Sequence, residues 1–177
     1  ACSAGYDIVR AADLAMYEAK RDTAHPAVRF TLGLEQRFRR RERLQNDVAM
    51  AVRNHDIVPF LQPLVCLKTG RIIGFEILAR WINDSGRTIA PAILLPVVQK
   101  LGLMDTLTVQ LLEDILPLTH GWPRGFHLAL NITPGQLLKP ALTSCLCRIM
   151  QHAGPVRLEL EITEQHVMTI SEDARQA

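Results

Sequence analysis

The sequence contains no apolar run long enough to cross a bilayer, which takes about 20 residues in a helix. It also lacks a glycine-rich phosphate loop, a G-x-S-x-G turn and an H-E-x-x-H motif. These absences disfavour P-loop nucleotidases, α/β-hydrolases and zincins. A formal net charge of +2 argues neither for nor against a nucleic-acid partner.

Cysteine and histidine residues, the usual zinc ligands, form no recognisable zinc-binding pattern in this sequence. Cys2 and Cys66 stand alone, while Cys145 and Cys147 form a C-x-C pair that has no second ligand pair. The six histidines are scattered along the chain and form no metal pair. We therefore expect reduced, structural thiols in a cytoplasmic protein.

The composition is that of an ordinary globular protein, with 48% apolar and 21% charged residues. A length of 177 residues suffices for one sizeable core or for pieces of two domains. The sequence starts in a helical pattern without Met, and residues 171–177 resemble the beginning of a helix. We expect a piece of a longer protein, cut at both ends.

A charged helix is predicted over residues 34–54. Its arginines, which are concentrated between positions 37 and 43, alternate with Glu35, Glu42 and Asp47. Such a run is typical of the solvated face of an exposed helix. We therefore expect no DNA or RNA polymer as a partner.

The remainder of the chain alternates between strand and helix patterns. Residues 57–67 and 72–81 read as two strands joined by a tight turn, which predicts a hairpin. Helices, a strand over 126–132, another helix and a strand over 156–163 follow in that order. This alternation predicts an α/β fold with parallel strands after the hairpin.

The second predicted strand carries two charged residues, Glu76 and Arg80, on one face. Both faces of this strand are largely apolar, as in strands that are covered on both sides. Buried charges are costly unless they are paired or bind a charged ligand. The strand therefore holds either a structural ion pair or a metal ligand beside a phosphate-binding group.

The next two predicted strands also carry polar groups near their carboxyl ends, Asn131 and Glu161. Asn131 also suits a turn or a helix cap, and Glu159 with Glu161 also suits the solvated face of an edge strand. Because functional groups of parallel α/β folds gather at the carboxyl ends of strands, the coincidence with Glu76 favours a shared site. Carboxylate and amide oxygens suit magnesium, manganese or calcium, and Arg80 suits a phosphate.

These residues resemble a known family. The segment 75–81 (FEILARW) is similar to the signature strand of the EAL domain, although that signature usually has Ala in place of Ile77. Residues 62–63 (QP), 131–134 (NITP) and 161–164 (EITE) agree with the family in the same order. Residues 12–20 (ADLAMYEAK) are in turn similar to the last helix of GGDEF domains.

The resemblance implies an incomplete TIM-like (β/α) barrel whose first strand is antiparallel to the others. It also implies hydrolysis of cyclic di-GMP to linear pGpG by water that a divalent cation, Mg²⁺ or Mn²⁺, activates. The implied roles are metal ligands for Glu76, Asn131 and Glu161, catalysis for Glu76 and Glu161, substrate contacts for Arg80 and Gln62, and ordering of a loop for Glu164.

The resemblance further implies three segments: a GGDEF tail over residues 1–31, a linker helix over 32–54 and the first part of an EAL domain over 55–177. A paired aspartate, a lysine and later Glu and Gln residues of the family would follow residue 177, so we expect this piece alone to be inactive. Upstream GGDEF and sensor domains, with or without a membrane anchor, and a homodimer through the barrel are also implied. The alternatives are a degenerate EAL domain that senses a nucleotide or protein partner, and an unrelated parallel α/β hydrolase.

Overall fold

The computed structural model describes residues 4–21, 27–83 and 86–162. The chain divides into two compact units, Ala1–Asp47 and Val48–Ala177. No helix within the described residues is long and apolar enough to cross a membrane. The elements in chain order are α1 (Ala4–Arg21), α2 (Leu32–Arg53), β1 (Ile57–Val65), β2 (Ile72–Ile82), β3 (Thr88–Ile89), α3 (Pro91–Lys100), α4 (Met104–Ile115), a 3₁₀ helix (Leu116–Gly121), β4 (His127–Asn131), α5 (Pro134–Leu137), α6 (Pro140–Met150) and β5 (Arg157–Glu161).

The first unit consists of α1 and most of α2. Leu14 of α1 and Leu34 of α2 are buried, and the rings of Tyr17 and Phe38 meet edge to face at 5.8 Å. Thr31 caps α2, because its hydroxyl accepts a hydrogen bond from the backbone N–H of Leu34 at 3.1 Å.

The second unit is built on a mixed sheet in the order β1-β2-β4-β5, with the short β3 also paired to β2. Strand β1 is antiparallel to β2, whereas β2, β4 and β5 are parallel to one another. Trp81 pairs with β1 on one side and with β3 on the other, so β3 lies on the β4 side of β2. This topology confirms the predicted α/β fold with an antiparallel first strand.

The two faces of β2 differ as the alternation of its sequence predicts. Ile77 and Trp81 are buried on one face, whereas Glu76 and Arg80 on the other face are partly exposed. Buried helix residues, such as Leu94 and Val98 of α3, complete the core. Its largest fully buried side chains come from α2, β1, α3, α4, β4 and the 3₁₀ helix: Val48, Val52, Ile57, Leu94, Val98, Leu107, Leu112, Thr119 and Leu128.

A buried polar contact joins two helices of this unit. Gln110 of α4 is 8% exposed, and its Nε2 donates to the carbonyl oxygen of Val52 at 2.9 Å. That carbonyl lies in the last turn of α2, where backbone oxygens have no partner within the helix. The contact therefore fixes α4 against the end of α2.

One predicted helix is divided in the structure. The pattern over residues 134–151 predicts mostly helix, but α5 ends at Leu137 and α6 begins at Pro140. A residue before proline is disfavoured in the helical region, and Lys139 accordingly has φ −94° and ψ 105°. Pro140 therefore separates the two helices.

The contact between β2 and β4 requires a glycine. Gly74 pairs with His127 in the parallel ladder, and a Cβ placed on Gly74 would lie 2.2 Å from the carbonyl oxygen of His127. Since that oxygen belongs to the backbone, the clash cannot be relieved by rotating a side chain. Gly74 thus lets β2 and β4 approach in this register.

We predict that Gly74→Ala destabilises the chain by about 1–3 kcal/mol, the usual cost of overpacking. Gly135→Ala is the matched control, because a Cβ there has no neighbour within 4 Å. Urea unfolding monitored by circular dichroism measures both free energies of unfolding. Equal stability of the two variants would contradict the close approach at Gly74.

Candidate functional site

The partly exposed face of the sheet presents its side chains in rows, because paired residues of parallel strands lie side by side. From the carboxyl end of β4 downward, the register defines an upper row of Asn131 and Glu161, a middle row of Glu76, Ala129 and Glu159, and a lower row of Gly74, His127 and Arg157. Three carboxylates therefore occupy two adjacent rows.

Glu76 and Asn131 are in direct contact. The side-chain amide of Asn131 donates through Nδ2 to Oε1 of Glu76 at 2.6 Å. Sequence reasoning placed Glu76 near the carboxyl end of its strand, which is wrong, because β2 continues to Ile82. The contact forms because β4 pairs with the first half of β2, so that Glu76 lies one row below Asn131.

Glu161 completes this group at the end of β5, where it pairs with Asn131. Partial removal of solvent raises the pKa of Glu161 above its ordinary value, and the negative charges of Glu76 and Glu159 raise it further. Glu161 is therefore close enough to both of the other carboxylates to be repelled by them. Such a cluster attracts cations.

Arg80 lies farther along β2 than Glu76 and forms no ion pair with it. Its Nη1 donates to the carbonyl oxygen of Ala79 at 3.0 Å, and no carboxylate of the described residues pairs with it. The predicted alternative of a structural Glu76–Arg80 pair is therefore wrong. Within the described ranges, the guanidinium thus has no acidic partner, which suits an anionic ligand.

Arg80 also borders a cavity of about 370 Å³ that lies between the ends of β2 and β4 and the helices α3 and α4. The wall is mainly apolar, with Leu78, Pro91 and Leu95 among its residues. Arg80 is the only charged residue among those lining this cavity in the described part of the chain. The cavity therefore combines apolar walls with one cationic group.

Of the two remaining predicted site residues, Gln62 and Glu164, the structure describes only Gln62. Gln62 pairs with Glu76 across the antiparallel ladder, so both side chains lie on the same face. Glu164 lies outside the described residues.

Sequence reasoning missed the contact between His127 and Glu159, whose Nδ1 and Oε1 atoms are 2.6 Å apart. The alternation of residues along each strand placed both side chains on the polar face of the sheet. Their contact, however, depends on the register of β4 against β5.

The donor set fits a hard divalent cation. Within the described ranges, no three or more His, Cys, Asp or Glu side chains are grouped to hold a metal ion. Glu76 and Glu161, however, supply carboxylates beside the Asn131 amide, and a half-turn of that amide would present its oxygen in place of its nitrogen. Carboxylate and amide oxygens are ligands that Mg²⁺ and Mn²⁺ accept.

The family of the chain follows from comparison with known proteins. The model of the EAL domain family matches residues 45–177, which include every row of the site. The chain therefore belongs to the EAL domain family. The match begins within α2 and covers the second compact unit.

Individual relatives agree with this assignment. The chain is 28% identical over 134 residues to cyclic di-GMP phosphodiesterase PdeL of Escherichia coli (strain K12), a match that covers 72% of this chain and 37% of PdeL. It is also 31% identical over 155 residues to an uncharacterized signaling protein of Caulobacter vibrioides, covering 86% of this chain and 19% of that protein. The chain thus spans well under half the length of these relatives.

A solved structure gives the same fold. The PaMucR phosphodiesterase in its c-di-GMP complex is 25% identical to this chain, with a TM-score of 0.62. The superposition covers 75% of this chain and 56% of the other. The mixed sheet described above is therefore part of the TIM-like barrel of an EAL domain.

Proposed function

We propose that this chain is the first part of a cyclic di-GMP phosphodiesterase domain and that its middle and upper rows hold Mg²⁺ or Mn²⁺. The observation that carries the proposal is the Glu76–Asn131 contact beside Glu161, in a chain that belongs to the EAL domain family. The proposed ligands are Glu76, Asn131 and Glu161. A bound cation of this kind activates water and stabilises the charge that develops on a phosphodiester.

The remaining side chains would bind and orient the substrate. Arg80 has five N–H donors in a planar fork, and a guanidinium with no acidic partner among the described residues suits a phosphate group of cyclic di-GMP. Gln62 lies beside Glu76 and would contact the substrate from β1. We also propose that Glu164 orders a loop near the site.

The first unit would belong to a different domain of the full protein than the second unit does. We propose that residues 1–31 are the tail of a GGDEF domain and that residues 32–54 link it to the EAL part. Two findings support a separate origin for the residues that precede the EAL part: α1 and most of α2 form a compact unit of their own, and the family match begins only at residue 45, within the proposed linker. In this proposal, the full protein carries GGDEF and sensor domains before the chain and dimerises through its barrel.

Mn²⁺ binding tests the proposed ligands. We predict that the 177-residue chain binds Mn²⁺ and that Glu76→Ala reduces the affinity by at least about 10-fold, because a ligand is lost. The Mn²⁺ signal in electron paramagnetic resonance disappears on binding and so measures the affinity. Glu113→Ala is the matched control, since Glu113 is an exposed carboxylate on α4. The proposal fails if both variants bind Mn²⁺ equally well.

Turnover by this chain alone is expected to be absent. The three proposed ligands supply about half of the six positions that Mg²⁺ or Mn²⁺ usually fills. In addition, neither β1 nor β5 has a second strand partner within the described sheet, so the described part of the barrel is open on both sides. An open site leaves both the cation and the scissile bond poorly positioned.

We therefore predict no pGpG when Mn²⁺ and cyclic di-GMP are added to the purified 177-residue chain. Chromatography of the nucleotides measures the product, and PdeL assayed in parallel serves as the positive control. Steady formation of pGpG by the chain would contradict the expected inactivity. The same assay on the longer protein distinguishes an enzyme from a degenerate domain that only senses the nucleotide.

A further inference from the structure

The His127–Glu159 pair lies immediately below the proposed ligands, and neither residue belongs to them. Nδ1–H of His127 donates to Oε1 of Glu159 at 2.6 Å, and the two side chains are 29% and 42% exposed. Glu159 belongs to the middle row, and His127 belongs to the lower row. The hydrogen bond therefore fixes the carboxylate of Glu159 on the face of the sheet that carries the proposed ligands.

The position of His127 is determined by its neighbours in the lower row. On one side, the Cβ of His127 would be 2.7 Å from a Cβ on Gly74, so β4 approaches β2 closely there. On the other side is Arg157, which is exposed at the start of β5. With β2 so close, the imidazole extends toward β5, where the first carboxylate above Arg157 is Glu159.

Glu159 is close to the ligands without being one of them. It precedes Glu161 by two residues on the same face of β5, and only the small side chain of Ala129 separates it from Glu76 in the middle row. The field of Glu159 therefore reaches the carboxylates that would surround a cation.

We propose that His127 is a positioning residue that holds Glu159 where its charge strengthens cation binding without occupying a ligand position. This inference rests on the proposed function. An unheld Glu159 would be repelled by the carboxylates of Glu76 and Glu161 and would turn toward solvent. A cation site would then lose part of its negative potential.

A double-mutant cycle on the 177-residue chain tests the proposal, with Mn²⁺ affinity as the readout. Glu159→Gln removes the charge at nearly constant shape, and we expect it to weaken binding by about 10-fold. His127→Ala removes the donor, and we expect a smaller loss of about 3-fold, because the freed carboxylate keeps its charge. In the double variant, His127→Ala should add nothing to the effect of Glu159→Gln.

His127→Asn provides the rescue, because the Asn side chain carries an N–H donor at the δ position. We expect its Mn²⁺ affinity to equal that of the wild type. His127→Asn also keeps the test decisive if His127→Ala fails to fold. In that case the Mn²⁺ affinity of His127→Asn must exceed that of His127→Leu, because Leu fills space but donates no hydrogen bond.

The outcomes separate this inference from the proposed function. Additive losses in the double variant, or an unchanged affinity in Glu159→Gln, would overturn the role of the pair while leaving the ligands in place. An affinity of His127→Asn as low as that of His127→Ala or His127→Leu would also overturn it. Absence of Mn²⁺ binding by the wild type, or full binding by Glu76→Ala, would instead overturn the cation site and the inference together.

Discussion

The parallel register of β2, β4 and β5 is the constraint on which the site depends. Asn131 lies beside Glu161 and one row above Glu76 only because His127 pairs with Gly74 and Arg157. A slip of one residue in β4 would turn Asn131 to the opposite face, among buried apolar side chains. The close approach at Gly74 prevents a bulkier residue from entering this position, so the same contact fixes the strands and the site.

The register also explains how polar groups are tolerated in a sheet with an apolar core. Ile77 and Leu128 are buried on one face, while the charged residues share the other face with solvent. The cost of placing carboxylates near each other is reduced by hydrogen bonds from Asn131 to Glu76 and from His127 to Glu159. The arrangement retains negative charge at the carboxyl ends of β4 and β5, where a cation would offset it.

Much of the second unit was predictable because its determinants are local. The turn after β1 and the apolar alternation of β2 predicted the hairpin and the face that carries Glu76 and Arg80. The order of strands and helices predicted the parallel strands. The set of motifs around Glu76, Asn131 and Glu161 identified the family, because their order along the chain is more specific than any one of them.

The errors concern features that depend on distant parts of the chain. Periodicity predicted the extent of β2 to within one residue, but it did not show that the two-residue strand β3 would pair with its end. The His127–Glu159 contact joins residues 32 positions apart and requires a known register. The interruption at Pro140, in contrast, follows from a local rule, because the residue before a proline is disfavoured in a helix. The helical periodicity of residues 134–151 nevertheless led to the prediction of a mostly continuous helix.

Anomalous diffraction from crystals soaked in Mn²⁺ tests the central claim most directly. The account predicts an anomalous peak about 2.0–2.3 Å from carboxylate oxygens of both Glu76 and Glu161 and from the Asn131 amide oxygen. A peak that lies elsewhere, or side chains at these three positions that coordinate no ion at saturating Mn²⁺, would contradict it.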